Sequence, residues 1–127
     1  MSENNGKNIL KYCSHFFLEM SHSFDGDRKK EHNHTLEILC FVELDASKGF
    51  DVMNYNKVER QLLDCLEPYQ ESYLNDMEVF AGDTTIENVG EVVCREINER
   101  AQRMGINLYR FEIAETPLRS YVITDKL

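Results

Sequence analysis

The stretch HNHTLEILCFVEL, residues His32 to Leu44, alternates with a period of two. Its even positions carry His32, His34, Leu36, Ile38, Cys40, Val42 and Leu44, and its odd positions include Asn33, Thr35, Glu37 and Glu43. Successive side chains of a strand leave opposite faces, so this pattern predicts a strand with one face turned to a core. It also sets two histidines two residues apart on that face, about 6.6 Å from each other along the strand.

N-terminal to this stretch, Asn8 to Phe24 predicts a first strand, with Leu10, Tyr12, Phe16, Leu18 and Met20 at even positions. The polar run Asp25 to Lys30 reads as the turn that joins the two strands. A hairpin through that turn brings His22 beside His32 or His34. Three neutral imidazoles with an open fourth position form a ligand set of catalytic zinc. Imidazole suits iron, copper and nickel as well, so the donors leave the metal open. His15 falls on the opposite parity from His22 and reads as structural.

On the C-terminal side, Asp45 to Gly49 reads as a loop, and a helix is expected from Tyr55 to Leu66, ended by Pro68. Tyr69 to Asp83 is irregular. A second helix starts near Thr85, where Thr84-x-x-Glu87 fits a capping box. Ile86, Val89, Val93, Ile97 and Ala101 follow at helical spacing, and Gly105 sits where a left-handed cap is expected. Asn107 to Glu115 and Leu118 to Thr124 are further strands, separated at Thr116-Pro117. The order β-β-α-α-β-β favours an α+β fold, an antiparallel sheet with both helices on one face. No linker divides the chain, so residues 1–127 read as a single domain.

Composition excludes several classes. A formal net charge of −9 is repelled by phosphate backbones and anionic lipid, which argues against nucleic-acid and membrane partners. No stretch approaches the roughly 18 apolar residues of a membrane span, and Met1 to Lys7 is too polar for a signal peptide. The four cysteines have no C-x-x-C spacing and fit free thiols in a reducing cytoplasm.

Several segments, taken in order, resemble one family. Leu18-Glu19-Met20-Ser21-His22 followed by His32-Asn33-His34-Thr35-Leu36-Glu37 is similar to the zinc-binding core of 6-pyruvoyl-tetrahydropterin synthase and 6-carboxytetrahydropterin synthase. Val52-Met53-Asn54-Tyr55, Tyr73-Leu74-Asn75-Asp76, Thr84-Thr85-Ile86-Glu87-Asn88 and Phe111-Glu112-Ile113-Ala114-Glu115-Thr116 resemble the segments that follow in that family. The resemblance implies a tunnelling fold, a four-stranded antiparallel sheet whose subunits join into barrels as trimers or hexamers. It implies zinc on His22, His32 and His34, and a pterin substrate such as dihydroneopterin triphosphate in a lyase reaction. Glu115 would grip the pterin amino edge, with Thr85 as a second substrate-binding residue.

The chain departs from the family pattern at its proton-transfer positions. Arg28 stands where the family has a cysteine, and Gln70 and Glu71 where it has an Asp-His pair; Asn33 and Asn54 replace a glycine and an aspartate. Glu31 and Glu71 are the candidate replacements, since a carboxylate near a metal can act as a general base. Three readings follow: a metal-dependent pterin lyase, a non-catalytic metal- and pterin-binding paralogue, and an oligomer whose metal only ties strands together.

Overall fold

The long alternating hairpin is the first element that the sequence dictates, and it is the spine of the fold. A computed structural model describes residues 8–48, 52–125 and 127, leaving the polar run 1–7 and the Gly49 end of the expected loop outside the described residues; the side chains of 48 and 52–54 are also outside them. Strand β1 (Ile9–His22) pairs antiparallel with β2 (His32–Asp45) along its whole length. The register sets Leu18 opposite Leu36 and His22 opposite His32. The even positions of both strands therefore share one face, where Phe16, Leu18, Met20, Leu36, Ile38, Cys40, Val42 and Leu44 are buried.

Helix α1 (Val52–Asp64) starts three residues before the expected Tyr55 and stops two before Leu66. A two-residue strand β3 (Ser72–Tyr73) follows, then helix α2 (Ile86–Arg103) and strands β4 (Asn107–Thr116) and β5 (Arg119–Ile123). The sheet order is β3-β1-β2-β4-β5. The sheet thus has five strands rather than the four expected. The extra strand, β3, runs parallel to β1 and meets it at only two positions, Met20 with Ser72 and Ser21 with Tyr73. A strand that short has no period to read.

Both helices cover the even face. Val58 and Leu62 of α1 and Val89, Val93, Ile97 and Ala101 of α2 close the core against it. Tyr12 stacks on Tyr55 of α1 with ring centroids 4.0 Å apart. The approach of α2 is close at Gly90, where a Cβ would meet Ile113 Cγ2 at 2.8 Å. On β4 the parity changes at Tyr109, an extra residue between the pairs Phe41–Arg110 and Val42–Leu108. This bulge lets Leu108 and Phe111 both face the core although they are three apart.

The end of α2 follows its sequence signal. Gly105 takes φ +75°, with Gly105 N–H bonded to Gln102 O and Ile106 N–H to Ala101 O, the paired bonds of a Schellman cap. At its start the expected frame shifts by one residue. Thr85, not Thr84, is the N-cap and accepts from Asn88 N–H. Asp83 Oδ1 in turn accepts from the backbone N–H and the hydroxyl of Thr85. No helix among the described residues is long and apolar enough to cross a membrane.

Candidate metal centre

The hairpin register alone assembles the histidines. His22 faces His32 directly and Met20 faces His34, so the three imidazoles leave the even face at the turn end of the sheet. Their ring centroids lie 4.5 Å (22–32), 5.1 Å (22–34) and 4.8 Å (32–34) apart, with ring planes at 63°, 86° and 85°. One nitrogen from each ring lies within 4.8 Å of the other two.

The surroundings fix which nitrogens are offered. His22 is 2% exposed, and its Nδ1–H donates to the Thr84 carbonyl at 2.9 Å. The lone pair therefore sits on Nε2, which is buried without a hydrogen-bond partner. A buried acceptor in that state costs about 1–3 kcal/mol unless something fills it. His32 Nδ1 is 3.2 Å from the Lys30 carbonyl and donates to it, which leaves the lone pair of that ring on Nε2 as well. Burial pushes the pKa of His22 down, helped by His32 and His34 and opposed by the Thr84 bond and Glu115, so the ring stays neutral and ligand-ready. Phe24 packs on His22 and His32 at 4.7 and 5.3 Å between centroids. A neutral imidazole held through one nitrogen and open at the other is the state in which histidine binds metal. The residues present therefore fit a divalent transition metal.

Glu115, near the end of β4, reaches the same cluster. Its Oε2 is 3.5 Å from His34 Nε2 and is likewise buried without a hydrogen-bond partner. The residue also lines a cavity of about 130 Å³ between the start of α2 and the β4–β5 hairpin, with Ile86, Arg119 and Tyr121 on its walls.

Glu31 and Glu71 lie elsewhere. They line a cavity of about 480 Å³ whose other walls include Glu19, Ser21, Asn33 and His34. Strand parity sets Glu19, Ser21 and Asn33 on the face opposite the histidines, and His34 is the one member of the triad that this cavity reaches. Glu31 Oε2 accepts from Ser21 Oγ at 2.5 Å, and Oε1 is 3.5 Å from Arg28 Nε. Glu71 is held by its backbone N–H on the Glu19 carbonyl at 2.6 Å and adopts φ +55°. Among the described residues no hydrogen bond joins either carboxylate to a histidine. Thr85 has its hydroxyl engaged in the helix cap. His15 lies on the opposite face, 3.4 Å from Glu37.

Sequence reasoning missed the residues that hold the cluster in place. Thr84 orients His22 through its carbonyl, and a helix start with two adjacent threonines was the available signal. Asn75 bonds both the N–H and the C=O of Ser23 and pins the end of β1. Arg28 lies over the Tyr73 ring at 4.4 Å and bonds Asp76 at 2.9 Å.

The family model for 6-pyruvoyl tetrahydropterin synthase matches residues 11–126. The chain belongs to that family. Its fold is that of the Caenorhabditis elegans 6-pyruvoyl tetrahydropterin synthase, at TM-score 0.70 and 16% identity over 92% of this chain and 96% of that one. An uncharacterized protein from Wolinella succinogenes is similar at TM-score 0.61 and 13% identity, covering 93% of this chain and 99% of that one. A Plasmodium vivax 6-pyruvoyltetrahydropterin synthase, solved as a catalytic-residue mutant with a glutamate changed to alanine, follows at TM-score 0.51 and 10% identity, covering 91% and 97%. No curated protein matches the chain significantly. In this 6-pyruvoyl tetrahydropterin synthase family member, the two helices and the mostly antiparallel sheet are those of the tunnelling fold.

Proposed function

We propose that this chain is a zinc-dependent, pterin-binding lyase, one domain over residues 1–127, acting on dihydroneopterin triphosphate or a related pterin. The observation that carries the reading is the convergence of His22, His32 and His34 around a buried, unpartnered imidazole nitrogen. Zinc bound there would supply Lewis-acid polarisation of a substrate hydroxyl or carbonyl oxygen. Glu115 beside the triad would accept two N–H groups from the aminopyrimidine edge, a match of charge and geometry. Thr85 caps the helix at the end where Ile86 and Glu115 wall one cavity, and would help to place the ring.

Glu31 and Glu71 are the proposed proton-transfer groups. Support comes from their place on the cavity that reaches His34 and from the relative whose solved mutant replaces a catalytic glutamate. Homo-oligomerisation as a trimer or hexamer is proposed from the sheet face away from the helices, where Phe17 is 57% exposed and Val122 is also exposed. The four free cysteines suit a reducing cytoplasm.

The test is metal analysis of purified protein, then turnover of dihydroneopterin triphosphate by wild type, Glu31→Gln and Glu71→Gln, with a pterin fluorescence titration of wild type and Glu115→Ala. Zinc near one ion per chain, product from wild type and loss of binding in Glu115→Ala support the reading. A second reading, a non-catalytic metal- and pterin-binding paralogue, is favoured by Arg28, which stands at the cysteine position and is tied to Asp76 and Tyr73. Saturable pterin binding with no product from zinc-loaded protein would decide for it.

A further inference from the structure

Among the described residues, two buried side-chain N or O atoms lack a hydrogen-bond partner, His22 Nε2 and Glu115 Oε2. Both belong to one cluster, since His34 lies 3.5 Å from Glu115 Oε2 and packs edge-on against His22. Both atoms are acceptors. A cation fills the imidazole lone pair directly, whereas the carboxylate needs an N–H or a positive charge beside it. His34 Nε2 is the nitrogen within reach. The other two rings are already held through Nδ1, His22 by the Thr84 carbonyl and His32 by the Lys30 carbonyl. No carbonyl holds His34 among the described residues, so Glu115 stands in the third holding position.

We propose that Glu115 is a positioning residue of the metal centre. Its Oε2 takes the N–H of His34 Nε2 and so selects the tautomer that keeps the Nδ1 lone pair for the ion. The 3.5 Å separation is longer than a formed hydrogen bond, and such contacts tighten when a site is loaded. A carboxylate holder also raises the basicity of its histidine, more than a carbonyl does. Because the same side chain lines the cavity against α2, one carboxylate belongs to both the metal centre and the cavity. A ligand that engages Glu115 then alters metal affinity, and metal alters ligand affinity by the same factor. This inference rests on the metal site proposed above and extends the role of Glu115 beyond gripping a pterin.

The experiment is zinc(II) affinity at pH 7.5, measured by competition with a chromophoric chelator for metal-free wild type, Glu115→Ala, Glu115→Gln and Glu87→Gln. Loss of a holder of this kind weakens metal binding about 10- to 100-fold, the effect expected for Glu115→Ala. Glu115→Gln keeps a carbonyl acceptor and restores part of the affinity. Glu87→Gln removes a charge from the same cavity wall without touching a histidine, and stays within about twofold of wild type. The visible absorption of the cobalt(II)-loaded protein changes in Glu115→Ala and not in Glu87→Gln. Equal affinities in wild type and both Glu115 variants overturn the proposal, as does an equal loss in Glu87→Gln, which would mark a general charge effect. If Glu115→Ala does not fold, the near-isosteric Glu115→Gln decides. A wild type that binds no zinc overturns the metal reading along with this one, whereas a zinc-binding wild type with unaffected variants overturns this one alone.

Discussion

Removing His22 should abolish the stabilisation that metal gives the fold, and its size can be worked out. A ligand that binds only the folded state at 100 times its Kd adds about 2.7 kcal/mol. A chain of 127 residues unfolds with an entropy near 0.27 kcal/mol/K, from about 2.1 cal/mol/K per residue. Zinc at that level should therefore raise the Tm of wild type by roughly 10 °C over chelator-treated protein. In metal-free protein His22→Ala has opposing effects. It removes an unpartnered buried Nε2, which costs the fold about 1–3 kcal/mol, but it strands the Thr84 carbonyl and opens a void of comparable cost. The metal-free Tm should move by only a few degrees, so the zinc-minus-chelator difference is the informative number. Calorimetry or dye-monitored melting at fixed free zinc measures it. A wild type whose Tm ignores zinc, or a His22→Ala variant with the same zinc increment, would refute the convergence of three imidazoles on one ion.

Other consequences follow from the same geometry. His22 has its pKa lowered by burial, so below its ordinary value near 6.5 the unfolded chain takes a proton that the folded chain resists. Metal-free protein should lose stability as pH falls from 7.5 to 5.5, by at most about 1.4 kcal/mol per unit from this group; urea midpoints should show a flatter slope in His22→Ala, and identical slopes would contradict the burial. Gly90→Ala puts a Cβ 2.8 Å from Ile113 Cγ2 in a closed core. Overpacking costs about 1–3 kcal/mol against roughly 1 kcal/mol of regained helix propensity, so urea unfolding should show net destabilisation of up to about 2 kcal/mol; a stabilised variant would mean that α2 and β4 are not in that contact. Thr85→Val deletes the N-cap acceptor for Asn88 N–H and should cost about 1 kcal/mol, with Thr85→Ser near wild type.

The parts of the fold that were legible are those whose signal is local and periodic. The alternation from His32 to Leu44 survives as β2, and with it the shared face of His22, His32 and His34. Gly105 declares its left-handed cap because few other residues tolerate φ +75°. What was not legible depends on distant partners. The two threonines before α2 are equivalent as caps in sequence; the choice of Thr85 goes with a Thr84 carbonyl that is bonded to His22, 62 residues away. The parity change at Tyr109 exists because β4 must match β2 around the bulge, which no pattern within β4 reveals. Glu31 has a chain position next to His32 that suggested proximity to the metal, but its carboxylate bonds Ser21 on the other face of the sheet.

The two positions where the family carries an Asp-His pair behave differently from each other, and that difference can be tested. Gln70 uses its carboxamide as a substitute peptide: Oε1 accepts from Glu19 N–H at 3.1 Å and Nε2 donates to the Phe17 carbonyl at 3.0 Å. It extends the short β3 pairing along the edge of β1, which an acceptor-only aspartate could not do in both directions. Glu71, by contrast, is held by its backbone N–H, and among the described residues no hydrogen bond involves its side chain, which lines the cavity that reaches His34. A non-glycine residue at φ +55° costs roughly 1–2 kcal/mol, which glycine avoids, though glycine forfeits about 0.4–1 kcal/mol through a freer unfolded chain. Glu71→Gly should therefore fold with wild-type stability or gain up to about 1.6 kcal/mol in urea unfolding, while lacking the carboxylate. This variant separates chemistry from architecture in a way that Gln70 variants cannot. If Glu71 moves a proton, Glu71→Gly is stable and loses turnover while zinc and pterin binding are kept. Full turnover in that variant would remove Glu71 from the chemistry and leave Glu31 as the remaining proposed carboxylate, and a loss of more than about 1 kcal/mol of stability would show that the left-handed backbone at this position is not the strained one described.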